Sequence, residues 1–208
     1  MTFSTTSNKQ LRKSMNADVD IDFSNRSQIL GLINHVPARQ KNNGEVRKHN
    51  SGVYVTSIPI DPINECSSLD YRAAEERGYF KIDLLNQSVY ELVQNPAHYD
   101  RMLNKPTNWK LLQHASFCKR VVHIGNYADL VAEMQPDTIE RMAAFIAVIR
   151  PGKAHLQGQT WSTVFSSVWD GDNSCGFVFK KSHSLAYAKL VALHINLLEE
   201  ISQLVAQE

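Results

Sequence analysis

One stretch near the start of the chain alternates strictly between acidic and apolar residues. Residues 16–23 read NADVDIDF, which puts Asp18, Asp20 and Asp22 at alternate positions. Strict alternation is the period of a β-strand, in which successive side chains point to opposite faces. The pattern therefore predicts a strand with an apolar back, which packs on a core, and a carboxylate front, which faces a cleft.

Carboxylates at alternate strand positions suit metal-dependent phosphoryl chemistry. Their Cα atoms lie about 6.5–7 Å apart, so the side chains can converge on cations. Two divalent ions about 3.5–4 Å apart serve in-line phosphoryl or nucleotidyl transfer. A solvated strand edge or an acid-rich turn has the same pattern, however, and the acids alone favour neither interpretation.

A second alternating stretch supports a site. Residues 78–85 read GYFKIDLL, with three apolar residues on one face and Lys81 and Asp83 on the other. Charged side chains are unfavourable in a strand unless their face is solvated or meets a counter-charge. We expect Lys81 and Asp83 to share the cleft with the first strand's acids, as a cation for phosphate and a third metal carboxylate.

Composition limits the partners and the compartment. A chain of 208 residues can bury one core, or a core with a smaller lobe. The net charge is +1, so a nucleic-acid surface must be a local basic patch. Three separated cysteines without a CxxC pair or a signal peptide fit a reducing cytoplasm. No apolar run approaches the ~20 residues that a transmembrane helix needs, so no membrane partner is expected.

Local signals predict the elements around the two strands. A helix should follow the acids, with Asn25 as its N-cap and Pro37 as its end. Residues 38–50 read as a polar, basic loop before a strand at 53–58, and a short helix at 72–77 should end at Gly78. Strands at 163–169 and 175–179 should form a hairpin around the DGDN turn.

The second half of the chain reads as mostly helical. Asp137 should cap an apolar helix that runs to residue 149, where Arg150-Pro151-Gly152 stops it. Residues 179–187 read FKKSHSLAY at the start of a long amphipathic helix. Hydroxyls, an imidazole and a lysine at a helix N-terminus favour an anion site, although an N-capped helix with an exposed basic turn gives the same pattern.

Together these patches resemble the bacterial C-family DNA polymerases, the replicative polymerase III alpha subunits. In that family a PDxDxDF strand supplies two catalytic aspartates and a later GxxKxDxL strand supplies the third. Carried over, these are Asp20, Asp22 and Asp83, with Lys81 beside the last and Ala17 in place of the proline. The blocks MQPDTIERM through RPG (134–152) and FKKSHSLAY also match family segments, in family order.

The resemblance implies an α+β fold: a nucleotidyltransferase-like palm with a small mixed β-sheet, followed by a mostly helical fingers-like lobe. The implied domains are a palm at residues 16–95 and a fingers-like region at 96–208, after a flexible basic arm at 1–15. Family members are far larger, and most of the fingers region between residues 150 and 180 has no counterpart. Such a reduced polymerase suggests a phage genome and action in the host cytoplasm.

The implied activity is template-directed DNA synthesis from dNTPs on a primer–template, with two Mg²⁺ ions (or Mn²⁺) on Asp20, Asp22 and Asp83. Three carboxylates this close predict a raised pKa for at least one of them without metal. The expected ligand residues follow. Lys81, Arg150, Lys181, Ser182 and His183 would bind the nucleotide, and Arg39, Lys41, Arg47, Lys48 and His49 would bind DNA.

Two other functions fit the same residues. A catalytically silent polymerase remnant would bind DNA or other replisome proteins as an accessory protein or inhibitor. A metal-dependent nuclease or a simpler nucleotidyltransferase would use the same acids. The acids and the KSHS segment favour chemistry, whereas the missing fingers region counts against an efficient polymerase that works alone.

Overall fold

The computed structural model describes residues 19–42, 44–170 and 180–206. The predicted arm at residues 1–15 and Asp18 lie outside the described residues. The chain divides into two compact units after Tyr90, whereas the sequence analysis placed the boundary between palm and fingers after residue 95. Each unit is described by itself.

The first unit contains six strands and two α-helices among its described residues. These are β1 (Val19–Phe23), α1 (Arg26–Leu32), β2 (Val36–Asn42), β3 (Glu45–Tyr54), β4 (Ile60–Asp61), β5 (Cys66–Ser67), α2 (Tyr71–Glu76) and β6 (Ile82–Asn86). Four strands form one sheet in the order β1-β6-β3-β2, and β4 pairs with β5 in a two-stranded sheet. Because β1 runs parallel to β6 and the other pairs of the main sheet are antiparallel, that sheet is mixed.

Local backbone signals mark the start of α1 and the end of α2, and a small core packs α2 on the sheet. Asn25 caps α1 as predicted, because its Oδ1 accepts from the backbone N–H groups of Ser27 and Gln28. Gly78 follows α2 with a φ of +84°, a backbone conformation that glycine adopts at little cost. The buried core under α2 consists of Ala38, Tyr54, Ile58 and Ala74.

The regular secondary structure of the second unit consists of helices among its described residues. Its α-helices are α3 (Pro96–Asn104), α4 (Ala115–Cys118), α5 (Ala128–Met134), α6 (Ile139–Val148), α7 (Trp161–Ser167) and α8 (Lys181–Val205), and 3-10 helices occupy Trp109–Gln113, Gly125–Tyr127 and Pro151–Leu156. Another 3-10 helix, Ser88–Leu92, crosses the division between the units. Strands in one unit and helices in the other confirm the α+β class.

α6 and α8 form the centre of the second unit. Every residue of α6 from Met142 to Val148 is buried, so this helix lies inside the core rather than on its surface. The hydroxyl of Ser184, at the start of α8, donates to the carbonyl oxygen of Ala143 at 2.5 Å. Further along α8, the amide of buried Asn196 donates to the carbonyl oxygens of Met102 and Lys105, both at 2.9 Å, and so joins α8 to the end of α3.

The predicted loop at residues 38–50 is wrong, because β2 and β3 form a hairpin there. The segment is polar on both faces, so it lacks the alternation that marks a half-buried strand. The predicted helix also ends at Leu32 instead of running to Pro37. Pro37 lies in β2, an edge strand in which a missing N–H leaves no neighbour unpaired. The strand expected at 53–58 ends at Tyr54.

Two predictions in the second unit need correction. Residues 161–167 form α7 instead of a hairpin strand, because the Thr160 hydroxyl accepts from the Thr163 N–H and Val164 is fully buried. The second predicted hairpin strand, 175–179, lies outside the described residues. Thr138, not Asp137, caps α6, since its hydroxyl accepts from the Arg141 N–H while Asp137 pairs with the Arg141 guanidinium at 2.8 Å.

None of the helices that the structure describes combines the length and the apolar character needed to cross a bilayer.

Replacing Asn196 with alanine should destabilise the protein. The change leaves one buried and one partly buried carbonyl oxygen without their donor, and such groups together cost about 2 kcal/mol in the free energy of unfolding. Urea denaturation measures this difference, with Gln203→Ala on an exposed position of the same helix as the control. If the free energy of unfolding falls no more for Asn196→Ala than for the control, the role given to this amide is wrong.

Candidate active site

The pairing of β1 with β6 brings two of the predicted acids together. Asp20 and Asp83 are Cα partners in this parallel register, between the pairs Val19 with Ile82 and Ile21 with Leu84. Partners in register point to the same face of a sheet, and Asp22 lies two residues further along that face. The first strand therefore presents its acids beside Asp83.

The carboxyl of Asp22 is in a partly dehydrated environment. Asp20 is exposed, while Asp22 is half-buried and accepts a long hydrogen bond of 3.5 Å from the Tyr90 hydroxyl. Burial raises the pKa of Asp22, the Tyr90 hydrogen bond opposes this, and the negative charge of Asp20 adds to the rise. A raised carboxyl pKa was predicted and is confirmed here, although desolvation contributes more to it than the neighbouring charge.

Asp83 is buried, with 8% of its surface exposed, and both of its carboxylate oxygens have partners. The Ser51 hydroxyl donates to Oδ1 at 2.8 Å. The ammonium of Lys81 forms an ion pair with Oδ2. The Nδ1 atom of His49 lies 3.7 Å from Oδ1. Lys81 and Asp83 thus share a face as predicted, and they are bound to each other.

His49 organises the backbone beside Asp83. Between β2 and β3 the register jumps from Pro37–Val53 to Arg39–Lys48, which leaves residues 49–52 as a bulge. Nδ1 of His49 accepts from the backbone N–H groups of Ser51 and Gly52, at 3.3 and 2.9 Å. Burial first, and then the charge of Lys81, lowers the pKa of His49. The ring is therefore a neutral acceptor at Nδ1, and its approach to Asp83 is not an ion pair.

Gly52 leaves the space that the Lys81 side chain occupies. A Cβ atom at position 52 would lie 2.7 Å from Cδ of Lys81, 3.0 Å from Nδ1 of His49 and 3.2 Å from Cβ of Ala38. The Lys81 ammonium also lies 6.0 Å from the centre of the Tyr71 ring, within the range of a cation–π contact. The stem of Lys81 is therefore held between the bulge and an aromatic face.

Sequence reasoning did not identify Arg26, Ser51 and Tyr90 as parts of this site. The Arg26 guanidinium reaches from the start of α1 to β3, where Nη2 donates to the Ser51 carbonyl at 3.3 Å. Its Nε atom is buried and has no partner among the described residues. These residues come close to the site because of the order in which the strands pair. Their spacing in the sequence does not indicate that order.

The residues fit a divalent metal ion only in part. Asp20 and Asp22 supply the carboxylate oxygens that Mg²⁺ prefers, and burial, more than the charge of Asp20, raises the pKa of Asp22. Within residues 19–42, 44–170 and 180–206, no three His, Cys, Asp or Glu side chains come close enough to hold a metal ion together. Asp83 in addition has Lys81 and Ser51 as partners of its two oxygens.

The five predicted DNA-binding residues lie in three different environments. Arg39 is paired with Asp61 at 3.2 Å and Lys48 with Glu65 at 3.0 Å, whereas His49 faces Asp83. The side chains of Lys41 and Arg47 are exposed on β2 and β3. Arg39 in addition donates to the Ser68 carbonyl at 3.1 Å and so fixes the β4–β5 hairpin to β2. Lys41 and Arg47 are the best placed of the five for an external phosphate.

The four predicted nucleotide-binding residues of the second unit lie at the ends of two helices. Lys181 and Ser182 are exposed at the start of α8, and the Lys181 ammonium lies 5.6 Å from the centre of the Trp169 ring. His183, one turn before Tyr187, has its ring centre 6.5 Å from that ring. Arg150 is exposed just after α6, and its charge adds to the burial that lowers the pKa of His123.

A comparison with protein-family models gives no match, and a comparison with curated proteins gives none either. The resemblance to the C-family polymerases therefore rests on the sequence motifs alone.

Replacing Asp22 with asparagine should stabilise the metal-free protein at neutral pH. A carboxyl whose pKa is raised by folding favours the folded state below its unfolded pKa of about 3.8, and this contribution is lost as the pH rises through the folded value. Asparagine removes the free-energy cost of burying an ionised carboxylate and can still accept the hydrogen bond from the Tyr90 hydroxyl. The melting temperature should therefore rise at pH 7 and stay unchanged near pH 3. Equal shifts at both pH values, or a rise with the exposed control Asp100→Asn, contradict this account.

Replacing Gly52 with alanine should destabilise the first unit, because the new Cβ displaces Lys81 from Asp83. Forcing an extra methyl group into such a packed place costs about 1–3 kcal/mol. The matched control is Gly31→Ala in α1, where a Cβ meets nothing within 4 Å and should stabilise the helix slightly. Urea denaturation of both variants measures the change in the free energy of unfolding, which should fall for Gly52→Ala and rise slightly for Gly31→Ala. An unchanged free energy of unfolding for Gly52→Ala contradicts the steric argument.

Proposed function

We propose that this protein carries out metal-dependent nucleotidyl transfer, the addition of deoxynucleotides from dNTPs to a primer 3′-hydroxyl on a DNA template. One observation carries the proposal: Asp20 and Asp83 are register partners on adjacent parallel strands, with Asp22 on the same face. This is the arrangement that the polymerase resemblance requires of its three aspartates. Aspartates on strands that are not adjacent would not have supported this proposal.

In this proposal the aspartates hold the cations and the basic residues hold phosphate. Asp20 and Asp22 would bind Mg²⁺ or Mn²⁺, with Asp83 completing the site. The metal, when bound, supplies charge neutralisation of the triphosphate and lowers the pKa of the attacking hydroxyl. Lys81 lies on the acid face and can neutralise a substrate phosphate there. Arg150, Lys181, Ser182 and His183 are proposed to bind the incoming nucleotide.

The DNA partner is proposed to bind through a local basic patch on the β2–β3 hairpin. Lys41 and Arg47 are exposed there, while Arg39 and Lys48 lie beside their acidic partners Asp61 and Glu65. The partially neutralised patch supports contacts to the phosphate backbone, which position a duplex without reading its sequence. Such contacts weaken steeply with salt, roughly in proportion to the number of phosphates bound.

The closed state of Asp83 favours a second candidate, the catalytically silent remnant that binds DNA or a replisome protein. A carboxylate that already has an ammonium and a hydroxyl on its two oxygens is satisfied without metal. A protein that has lost catalysis can keep such a pair for stability alone. The two candidates differ in whether the first unit's acids are needed for product formation or only for the fold.

Primer extension separates the two candidates. The wild-type protein, with a primed template, four dNTPs and Mg²⁺ or Mn²⁺, should lengthen the primer. Asp20→Asn and Asp22→Asn should lower the rate by 10²-fold or more, in keeping with the loss of about 3 kcal/mol of transition-state stabilisation. Asp100→Asn in the second unit should not.

A DNA-binding titration on the same proteins completes the test. The enzyme proposal predicts that the aspartate variants bind primer–template about as well as the wild type, because they lose chemistry and not the basic patch. If the wild type extends no primer with either metal and all variants bind DNA alike, the enzyme proposal is wrong and the binding function stands.

A further inference from the structure

Lys81 is paired with Asp83, the third of the predicted metal ligands. Its ammonium pairs with Oδ2 while the Ser51 hydroxyl donates to Oδ1, so each oxygen of this carboxylate already has a partner. The side chains are 18% and 12% exposed for Lys81 and Asp83, so the pair lies largely out of water. The predicted three-aspartate site and the observed contacts therefore disagree at one residue.

A carboxylate buried to this degree requires a positive partner. Removing one member of a buried ion pair leaves an uncompensated charge, which is strongly unfavourable. His49 does not supply the charge, because its Nδ1 accepts from two backbone N–H groups and therefore carries no proton. In the part of the chain that the structure describes, Lys81 is thus the cation that Asp83 depends on.

The geometry lets Lys81 leave without disturbing the sheet. Lys81 precedes β6, whose ladder runs from Ile82 to Asn86, so its side chain can move while the strand stays paired. Gly52 opens the path along which the stem lies, and the Tyr71 ring 6.0 Å from the ammonium offers a second contact. A lysine has a flexible stem and a compact charge, which suits movement between two anions.

We propose that Lys81 is an exchangeable counter-ion of Asp83, and that a hard divalent cation such as Mg²⁺ or Mn²⁺ competes with its ammonium for that carboxylate. The metal-free site is closed by Lys81, and the released ammonium turns to a substrate phosphate. The proposal rests on the proposed function for the identity of that phosphate, but not for the competition itself. Its consequence is that Lys81 weakens metal binding while it stabilises the metal-free fold.

Metal binding by charge-neutral variants of Lys81 tests the competition. Lys81→Met keeps the stem and removes the charge, so Mn²⁺ should bind about tenfold more tightly than to the wild type, as a carboxylate left unpaired seeks another cation. Isothermal titration and the metal-induced shift in melting temperature both measure this affinity. Lys48→Met, which removes the exposed partner of Glu65, is the matched control and should leave the affinity unchanged.

A double variant identifies the carboxylate that is responsible. In Lys81→Met/Asp83→Asn the gain in Mn²⁺ affinity should disappear, because the amide carries no charge to neutralise. Equal or weaker Mn²⁺ binding by Lys81→Met overturns the proposal, and so does a gain that persists in the double variant.

A measurement on the wild-type protein covers the case in which Lys81→Met fails to fold. Reductive methylation followed by mass spectrometry reports how accessible each lysine is. Mn²⁺ should increase the labelling rate of Lys81 several-fold and leave that of Lys48 unchanged, and an unchanged rate for Lys81 at saturating Mn²⁺ overturns the proposal. Primer extension on the same sample keeps the two proposals apart: release of Lys81 without product contradicts the polymerase function alone, and product without release contradicts the exchange alone.

Discussion

The structure of the candidate site depends on the parallel pairing of β1 with β6. This pairing makes Asp20 and Asp83 register partners, although 62 intervening residues separate them in the chain. A slip of one residue in this pairing would place Val19 or Ile21 opposite Asp83 and turn the acids of β1 to the other face of the sheet. The buried carboxylate of Asp83 is satisfied from its own segment and from β3, by the ion pair with Lys81 and the hydrogen bond from Ser51.

The features around that pairing have a common physical cause, the need to satisfy charge and backbone groups beside Asp83. The bulge at residues 49–52 frees two backbone N–H groups. Nδ1 of His49 accepts a hydrogen bond from each of them, and this keeps the ring neutral. Gly52 in the bulge then leaves room for Lys81. The acid face thus combines a closed position at Asp83 with half-buried Asp22, whose pKa is raised by burial.

Sequence patterns predicted the parts of this fold whose signals are local. The Asn25 cap, the end of α2 at Gly78, the shared face of Lys81 and Asp83 and the long helix α8 all follow from residues a few positions apart. The β2–β3 hairpin was missed because both its faces are polar, and α7 because its β-branched residues favour a strand while burial of Val164 decides for a helix. Arg26, Ser51 and Tyr90 could not be found, since strand order alone brings them to the acids.

The most direct measurement of the central claim is the anomalous diffraction of Mn²⁺ in crystals soaked with Mn²⁺ and a non-hydrolysable dNTP. The account predicts manganese bound by oxygen atoms of Asp20, Asp22 and Asp83, with the Lys81 ammonium moved from Asp83 to a phosphate of the nucleotide. An anomalous map without manganese at these aspartates, or manganese elsewhere while Lys81 stays paired with Asp83, would contradict it.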